Sequence, residues 1–189
     1  MKKILLSAIA TFAMLSSANA GVIFLDADSL TTGSDLENNP LLTAEGTITY
    51  LGEVRQTSSD PELVAAGSLG NVFDIDNGND SASFSFDFDV TSFSFIYGGN
   101  SGVFDIVARD ALNNIVDSFF QASTSGGEPA GPVTLSGIGI RSIFWQDPGN
   151  NFAAIDNVTI RTTSVPEPAP LALLGLGLLG LGLSRKRRA

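Results

Sequence analysis

Between positions 82 and 97 the chain alternates apolar and polar residues with a period of two. In 82–89, Phe84, Phe86 and Phe88 share one face, and Ser83, Ser85, Asp87 and Asp89 share the other. In 92–97, Phe93, Phe95 and Tyr97 stand against Ser92, Ser94 and Ile96. A repeat of two belongs to an extended chain whose side chains alternate between faces, so both runs predict strands with a buried aromatic face. A turn near Asp89–Ser92 would make them antiparallel neighbours. Each buried aromatic contributes about 1.5–3 kcal/mol, so six of them supply much of a core. This stripe reads as core, not as a ligand platform.

The same pattern recurs in shorter runs. Strands are expected at Val22–Leu25, Thr47–Leu51 and Asn71–Ile75. Val103–Val107 and Ile115–Phe120 read as a hairpin through Asp110–Asn114. Pro132–Ile140, Arg141–Trp145 and Phe152–Arg161 follow, set apart by a Gly-rich loop at 123–131 and a turn at 146–151. Residues 26–46 and 55–70 lack a clear period and read as loops, with one helical turn at 61–66. No fixed-period repeat suggests a propeller or solenoid. Many short strands between turn signals predict an all-β fold, a single β-sandwich of jelly-roll type.

Both ends of the chain depart from this pattern. Lys2-Lys3, an apolar run Ile4–Leu15 and Ala18-Asn19-Ala20 form a signal peptide over 1–20, with signal peptidase expected to cut between Ala20 and Gly21. At the other end, Pro166-Glu167-Pro168 cannot carry a helix or central strand and is expected as an extended, accessible peptide. A Leu/Gly-rich run at 171–183 follows, and then Arg185-Lys186-Arg187-Arg188. As a helix the run spans roughly 20 Å against a hydrocarbon core of about 30 Å, so it enters a bilayer but anchors poorly. The basic cluster stays cytoplasmic, which leaves everything before Pro166 facing outward.

The three parts of this tail resemble the PEP-CTERM sorting signal of Gram-negative bacteria. The resemblance covers 165–189. It implies recognition by a membrane protease-transpeptidase (exosortase), removal of the hydrophobic segment and a host that makes exopolysaccharide. The chain therefore divides into a signal peptide (1–20), an acidic domain (21–164) and a sorting tail (165–189). Localisation is expected to be export across the inner membrane, transient anchoring, and then the cell surface or extracellular space.

Charge and composition narrow the chemistry of 21–164. It holds four of the ten basic residues, all arginine, and nineteen of the twenty acids, a net charge of about −15. Such a surface repels nucleic acid and anionic lipid. The chain has no cysteine and no histidine, which removes the usual ligands of zinc, haem and iron–sulfur groups and the Ser-His-Asp and Cys-His machineries. Lysine bases are missing from 21–164 as well. No catalytic residues are assigned, and the domain is read as non-enzymatic. Only paired carboxylates remain for catalysis.

Phe152–Ile160 resembles the closing strand of galactose-binding-like and other carbohydrate-binding jelly rolls. That resemblance implies a loop or face that takes a sugar, and a structural calcium shared by Asp156 with Asp26 or Asp28. Asp74, Asp76 and Asp80 form a second calcium candidate, with hard oxygens around a Gly turn. The glycine comes one residue early for an EF-hand loop and no bidentate Glu follows, so an acidic turn is the simpler reading. Trp145, at a strand end, is a candidate for stacking on a sugar ring, with Gln146, Asp147 and Asn150 bonding hydroxyls. Alternation puts Ile143 and Trp145 on one face and Phe144 on the other, and core is the preferred place for Trp145.

These readings converge on an exported surface or matrix protein associated with exopolysaccharide or biofilm that binds carbohydrate. The alternatives are a carboxylate-based glycan enzyme and a passive anchored structural protein.

Overall fold

A computed structural model describes residues 21–34, 36–56, 63, 64, 67–75, 81–99, 103–122, 132–146 and 153–163. Gly21–Thr163 forms one compact unit. Its strands are β1 (Val22–Leu25), β2 (Leu41–Leu42), β3 (Thr47–Leu51), β4 (Glu53–Gln56), β5 (Asn71–Asp74), β6 (Ser81–Gly99), β7 (Phe104–Asp110), β8 (Ile115–Gln121), β9 (Val133–Gln146) and β10 (Ala153–Thr162). Every pairing is antiparallel, along the order β4-β5-β10-β6-β9-β7-β8, with β3 on β6, β2 on β3 and β1 on β10. The protein is all-β, as its alternation predicts.

One ladder becomes two layers because its longest strands bend. The first half of β6 pairs with β3 and with Ser142–Gln146 of β9. Its second half pairs with β10 and with Val133–Ser136 of β9. Nine residues of straight strand span roughly 30 Å. Yet the rings of Phe84 and Phe93, both on β6, have centroids 5.7 Å apart. The strand must therefore fold over, carrying β6 and β9 from one layer into the other. The two runs read as a hairpin are one continuous strand whose halves meet face to face through their side chains. β9 is likewise one continuous strand where two were expected. Gly139, at φ +74°, supplies a turn in β9 that an L side chain would resist.

The bend also explains a phase change in the sequence. The buried aromatic positions on β6 are even up to Phe86, as is Val90, and are then the odd positions Phe93, Phe95 and Tyr97, with Ile96 buried as well near the strand's end. A one-residue slip exchanges the faces of a strand. Here it is made by a bulge: on β10, Arg161 pairs with Ser92 and Thr162 with Val90, leaving Thr91 without a ladder partner there.

Aromatic rings from both layers fill the space between them. Tyr50 on β3 meets Phe73 on β5 at 5.1 Å, and Phe73 meets Phe84 at 5.0 Å. At the other end Tyr97 stacks on Phe104 at 4.8 Å and meets Phe119 at 5.3 Å. The stripe read as core is core. Two short elements escaped the pattern: β2, with two residues, and β4, half of whose side chains are only partly covered.

Candidate functional site

In the layer formed by β3, β6, β9, β7 and β8, Ile106, Ala108, Ile143, Trp145, Ala82 and Phe84 point inward. Directly paired strand residues share a face, so the residues between these point outward together. The ladder arranges them in rows. Phe120, Asp105, Gln146 and Ser81 form one row across four strands. Ser118, Val107, Phe144, Ser83 and Leu51 form the next across five. Arg109, Ser142, Ser85 and Thr49 form a third, with Ile115 opposite Arg109. At the usual strand spacing the face is about 19 Å wide.

This face is amphipathic at the scale of single side chains. Phe120 is 63% exposed and Leu51 49%, and Phe144 and Val107 are half-buried between them. Polar groups border each apolar one. Gln146 Nε2 donates to Asp105 Oδ2 at 3.2 Å, which fixes an amide–carboxylate pair beside the two phenylalanines. Arg109 Nη1 donates to the Asn113 carbonyl at 3.0 Å. Flat ring surface beside hydroxyl, amide and carboxylate groups is the combination a sugar ring requires, apolar on its faces and hydroxylated at its rim.

The residues singled out from sequence fall in different places. Gln146 is on this face. Trp145 is a correction: it is 0% exposed, its indole packs against Tyr50 and Phe84, and Nε1 donates to the Ala153 carbonyl at 2.9 Å. Its ring is buried and its polar edge is bonded inside the core, so it stacks on no ligand. Its neighbour Phe144 takes the outward place. Asp147 and Asn150 lie outside the described residues. Phe120 was missed as a site residue, although adjacent Phe119 and Phe120 in one strand must face opposite ways.

Among the described residues the acidic candidates do not assemble a calcium site. Asp74 is buried, and its carboxylate accepts from Arg55 Nη1 at 3.1 Å and from the Ile75 N–H at 2.8 Å. Asp26 Oδ1 accepts from the Asp28 N–H at 2.9 Å, and Asp28 Oδ1 accepts from the Asn71 N–H. Among the described residues no three acidic side chains come together to hold a metal ion. Asp76 and Asp80 lie outside them. Asp156 is different in kind, being 1% exposed. Burial pushes its carboxyl above the usual carboxylate range, and Asp26 and Asp28 add repulsion. Ser68 and the Asn157 N–H act in the opposite direction. Even so, neither Asp156 Oδ1 nor the buried Ser68 Oγ reaches a hydrogen bond of ordinary geometry.

Of the processing residues, only Gly21 is described. Ala18, Ala20, Pro166, Glu167, Pro168, Arg185, Lys186, Arg187 and Arg188 lie outside the described residues, as does 171–183. Among the described residues no helix is long and apolar enough to cross a membrane.

Residues 164–188 match the PEP-CTERM protein-sorting motif. That motif marks a secreted protein sorted through the membrane to the cell surface by exosortase-dependent export. No curated protein matches the chain in sequence. Among solved structures the chain is similar to CBM29_1, a family 29 carbohydrate-binding module from Piromyces equi, with 11% identity and a TM-score of 0.42 over 79% of this chain and 95% of that one. It is similar to a point mutant of CBM29-2 complexed with cellulohexaose, with 15% identity and a TM-score of 0.39 over 77% and 92%. A third similar structure is a mutant of the lectin-binding domain of Lectinolysin complexed with Lewis b, with 13% identity and a TM-score of 0.37 over 70% and 99%.

Proposed function

We propose that the exported domain is a non-enzymatic carbohydrate-binding module that works at the cell surface or in the extracellular matrix, alongside the host's exopolysaccharide and biofilm. One observation supports this above the rest: Phe120 and Phe144 stand outward on one sheet face beside the Gln146–Asp105 pair. The ligand is a polysaccharide lying across the strands, its rings on the phenylalanines and its hydroxyls on Gln146, Asp105 and the flanking serines. The charge of about −15 favours a neutral glycan over an acidic one and disfavours nucleic acid. Signal peptidase removes 1–20, exosortase processes the chain near Pro166–Pro168, and 171–183 holds the protein in the membrane until then.

The test is binding of the purified protein to a glycan array and to exopolysaccharide, with and without calcium. Saturable binding that Phe144→Ala and Phe120→Ala each weaken at unchanged melting temperature supports the reading. Absence of binding in both conditions, or binding unaffected by both substitutions, rejects this face as the site.

A further inference from the structure

The first residue of the folded unit is held against its last strand. The Gly21 N–H donates to Thr162 Oγ1 at 3.0 Å, and the Thr162 N–H donates to the Gly21 carbonyl at 3.0 Å. Beyond this clasp Val22–Leu25 pair with Arg161–Val158 in register. A Cβ added at Gly21 would lie 2.4 Å from Glu45 Oε1 and 2.8 Å from Thr162 Oγ1. No residue other than glycine fits there without displacing one of them. The same distance puts the Glu45 carboxylate within about 5 Å of the Gly21 nitrogen by bond geometry alone. Glu45 makes no ion pair among the described residues. It is itself placed by a tight turn: the Glu45 and Gly46 N–H groups both donate to Thr43 Oγ1 at 3.2 Å.

We propose that Glu45 and Thr162 form a receiving site for the α-ammonium that signal-peptide removal creates on Gly21. The proposal rests on cleavage between Ala20 and Gly21. Hydrolysis of that peptide bond consumes one water, leaves a carboxylate on Ala20 and gives Gly21 a protonated amine. In the uncut chain the Gly21 nitrogen has a single hydrogen, and Thr162 Oγ1 takes it. The ammonium has three. One keeps the Thr162 bond, and the others, with a full positive charge, face a carboxylate that has no other cationic partner among the described residues. Maturation thereby fastens β1 to the end of β10, two residues before the sorting motif begins at 164. The N-terminal cut strengthens the corner of the sheet from which the C-terminal tail departs.

The composition provides a clean test, because 21–164 contains no lysine. A chain spanning 21–189 is prepared in detergent with Gly21 exposed by a site-specific protease, and its amines are acetylated. Only the Gly21 amine and Lys186, in the tail, can react. The clasp predicts that acetylation lowers the melting temperature by about 2–4 °C, the usual response of a domain this size to loss of one modest interaction. In Glu45→Gln, and at a pH above the amine's range near 8, the loss falls below about 1 °C. Lys186→Ala keeps the full effect, which excludes the tail amine. An equal loss in wild type and Glu45→Gln, or no loss in either, overturns the clasp. Mass analysis of the protein exported by a Gram-negative host tests the cleavage position separately. An N-terminus other than Gly21 refutes that reading whatever the melting data show.

Discussion

Phe84 and Phe93 lie on one strand, nine residues apart, and their rings meet with centroids 5.7 Å apart. That contact makes the two halves of β6 into facing walls of the core, and the bulge at Thr91 makes it possible. If the ladder ran through Thr91 without a bulge, Phe93, Phe95 and Tyr97, odd where Phe84 is even, would turn to the outside of the second layer. Inserting one further residue after Thr91 should turn the same three rings outward and abolish the cooperative thermal transition. Phe84→Ala, which keeps the register and empties a site bordered by Tyr50, Phe73 and Trp145, should cost about 3–5 kcal/mol in denaturant unfolding. An insertion variant that still melts like wild type would show that the bulge does not set the phase.

Much of this was legible in the chain. The alternation at 82–97 marked the inward rings, and the hairpin at 104–121 emerges with its loop at Asp110–Asn114. What the pattern hid was continuity. Polar Asp89, Thr91 and Ser92 look like a turn, but in a bend they are the residues left outside while the ladder runs on. Strands β2 and β4 were hidden for another reason: β2 has only two residues, and β4 has one apolar residue, Val54, among three polar ones, too little period to rise above a loop. The proposed sugar face was half visible. Trp145 draws the eye by size, yet the parity that buries it also exposes Phe144, and position across the sheet, which a linear sequence does not record, brings Phe120 and Asp105 beside Gln146.

Trp145 gives an optical check on that parity. A fully buried indole should emit at short wavelength, resist quenching by iodide, and keep its spectrum when a glycan binds. Trp145→Phe removes the donor to the Ala153 carbonyl and should cost about 1–3 kcal/mol. Strong quenching by iodide, or a spectral change on glycan binding with the core intact, would return this residue to the surface.

The loop after β7 makes a prediction about backbone conformation. Asn113 has φ +66°, in the left-handed region. Asp110 closes the same loop, taking the Leu112 and Asn114 N–H groups on Oδ1 and the Asn114 amide on Oδ2. Asn113→Gly should leave stability nearly unchanged, and Asn113→Val should cost about 1–2 kcal/mol. The bonds from Asn114 hold the Asp110 carboxyl below its usual range, so its contribution is present above pH 3.8 and is lost as pH falls through the lowered value. Urea midpoints of Asp110→Asn and wild type should therefore converge in strong acid. A gap that persists there would mean the carboxylate's charge is not what closes the loop.

Asp156 has the opposite sign, and the sign separates two accounts of this residue. Burial holds its carboxyl protonated above 3.8 in the folded state, while the unfolded chain ionises at the ordinary value. The folded state then binds more protons through that window, so stability falls as pH climbs from about 4 through the raised value and stays reduced beyond it. The groups facing it act as already described: Asp26 and Asp28 repel the charge, and Ser68 and the Asn157 N–H only partly offset burial. Asp156→Asn removes the penalty with little change of shape. It should be more stable than wild type at pH 7 to 8, by about 1–3 kcal/mol, the usual cost of a buried polar group left without a partner. The two proteins should become equal below pH 4. A calcium ion on Asp156 would invert the result: wild type would gain stability from millimolar calcium at neutral pH, because a ligand bound only to the native state must raise its melting point, and Asp156→Asn would lose that gain. Melting curves of both proteins at pH 3.5 and 7.5, with calcium and with chelator, decide between a carboxyl that burial keeps neutral and one that a cation keeps charged.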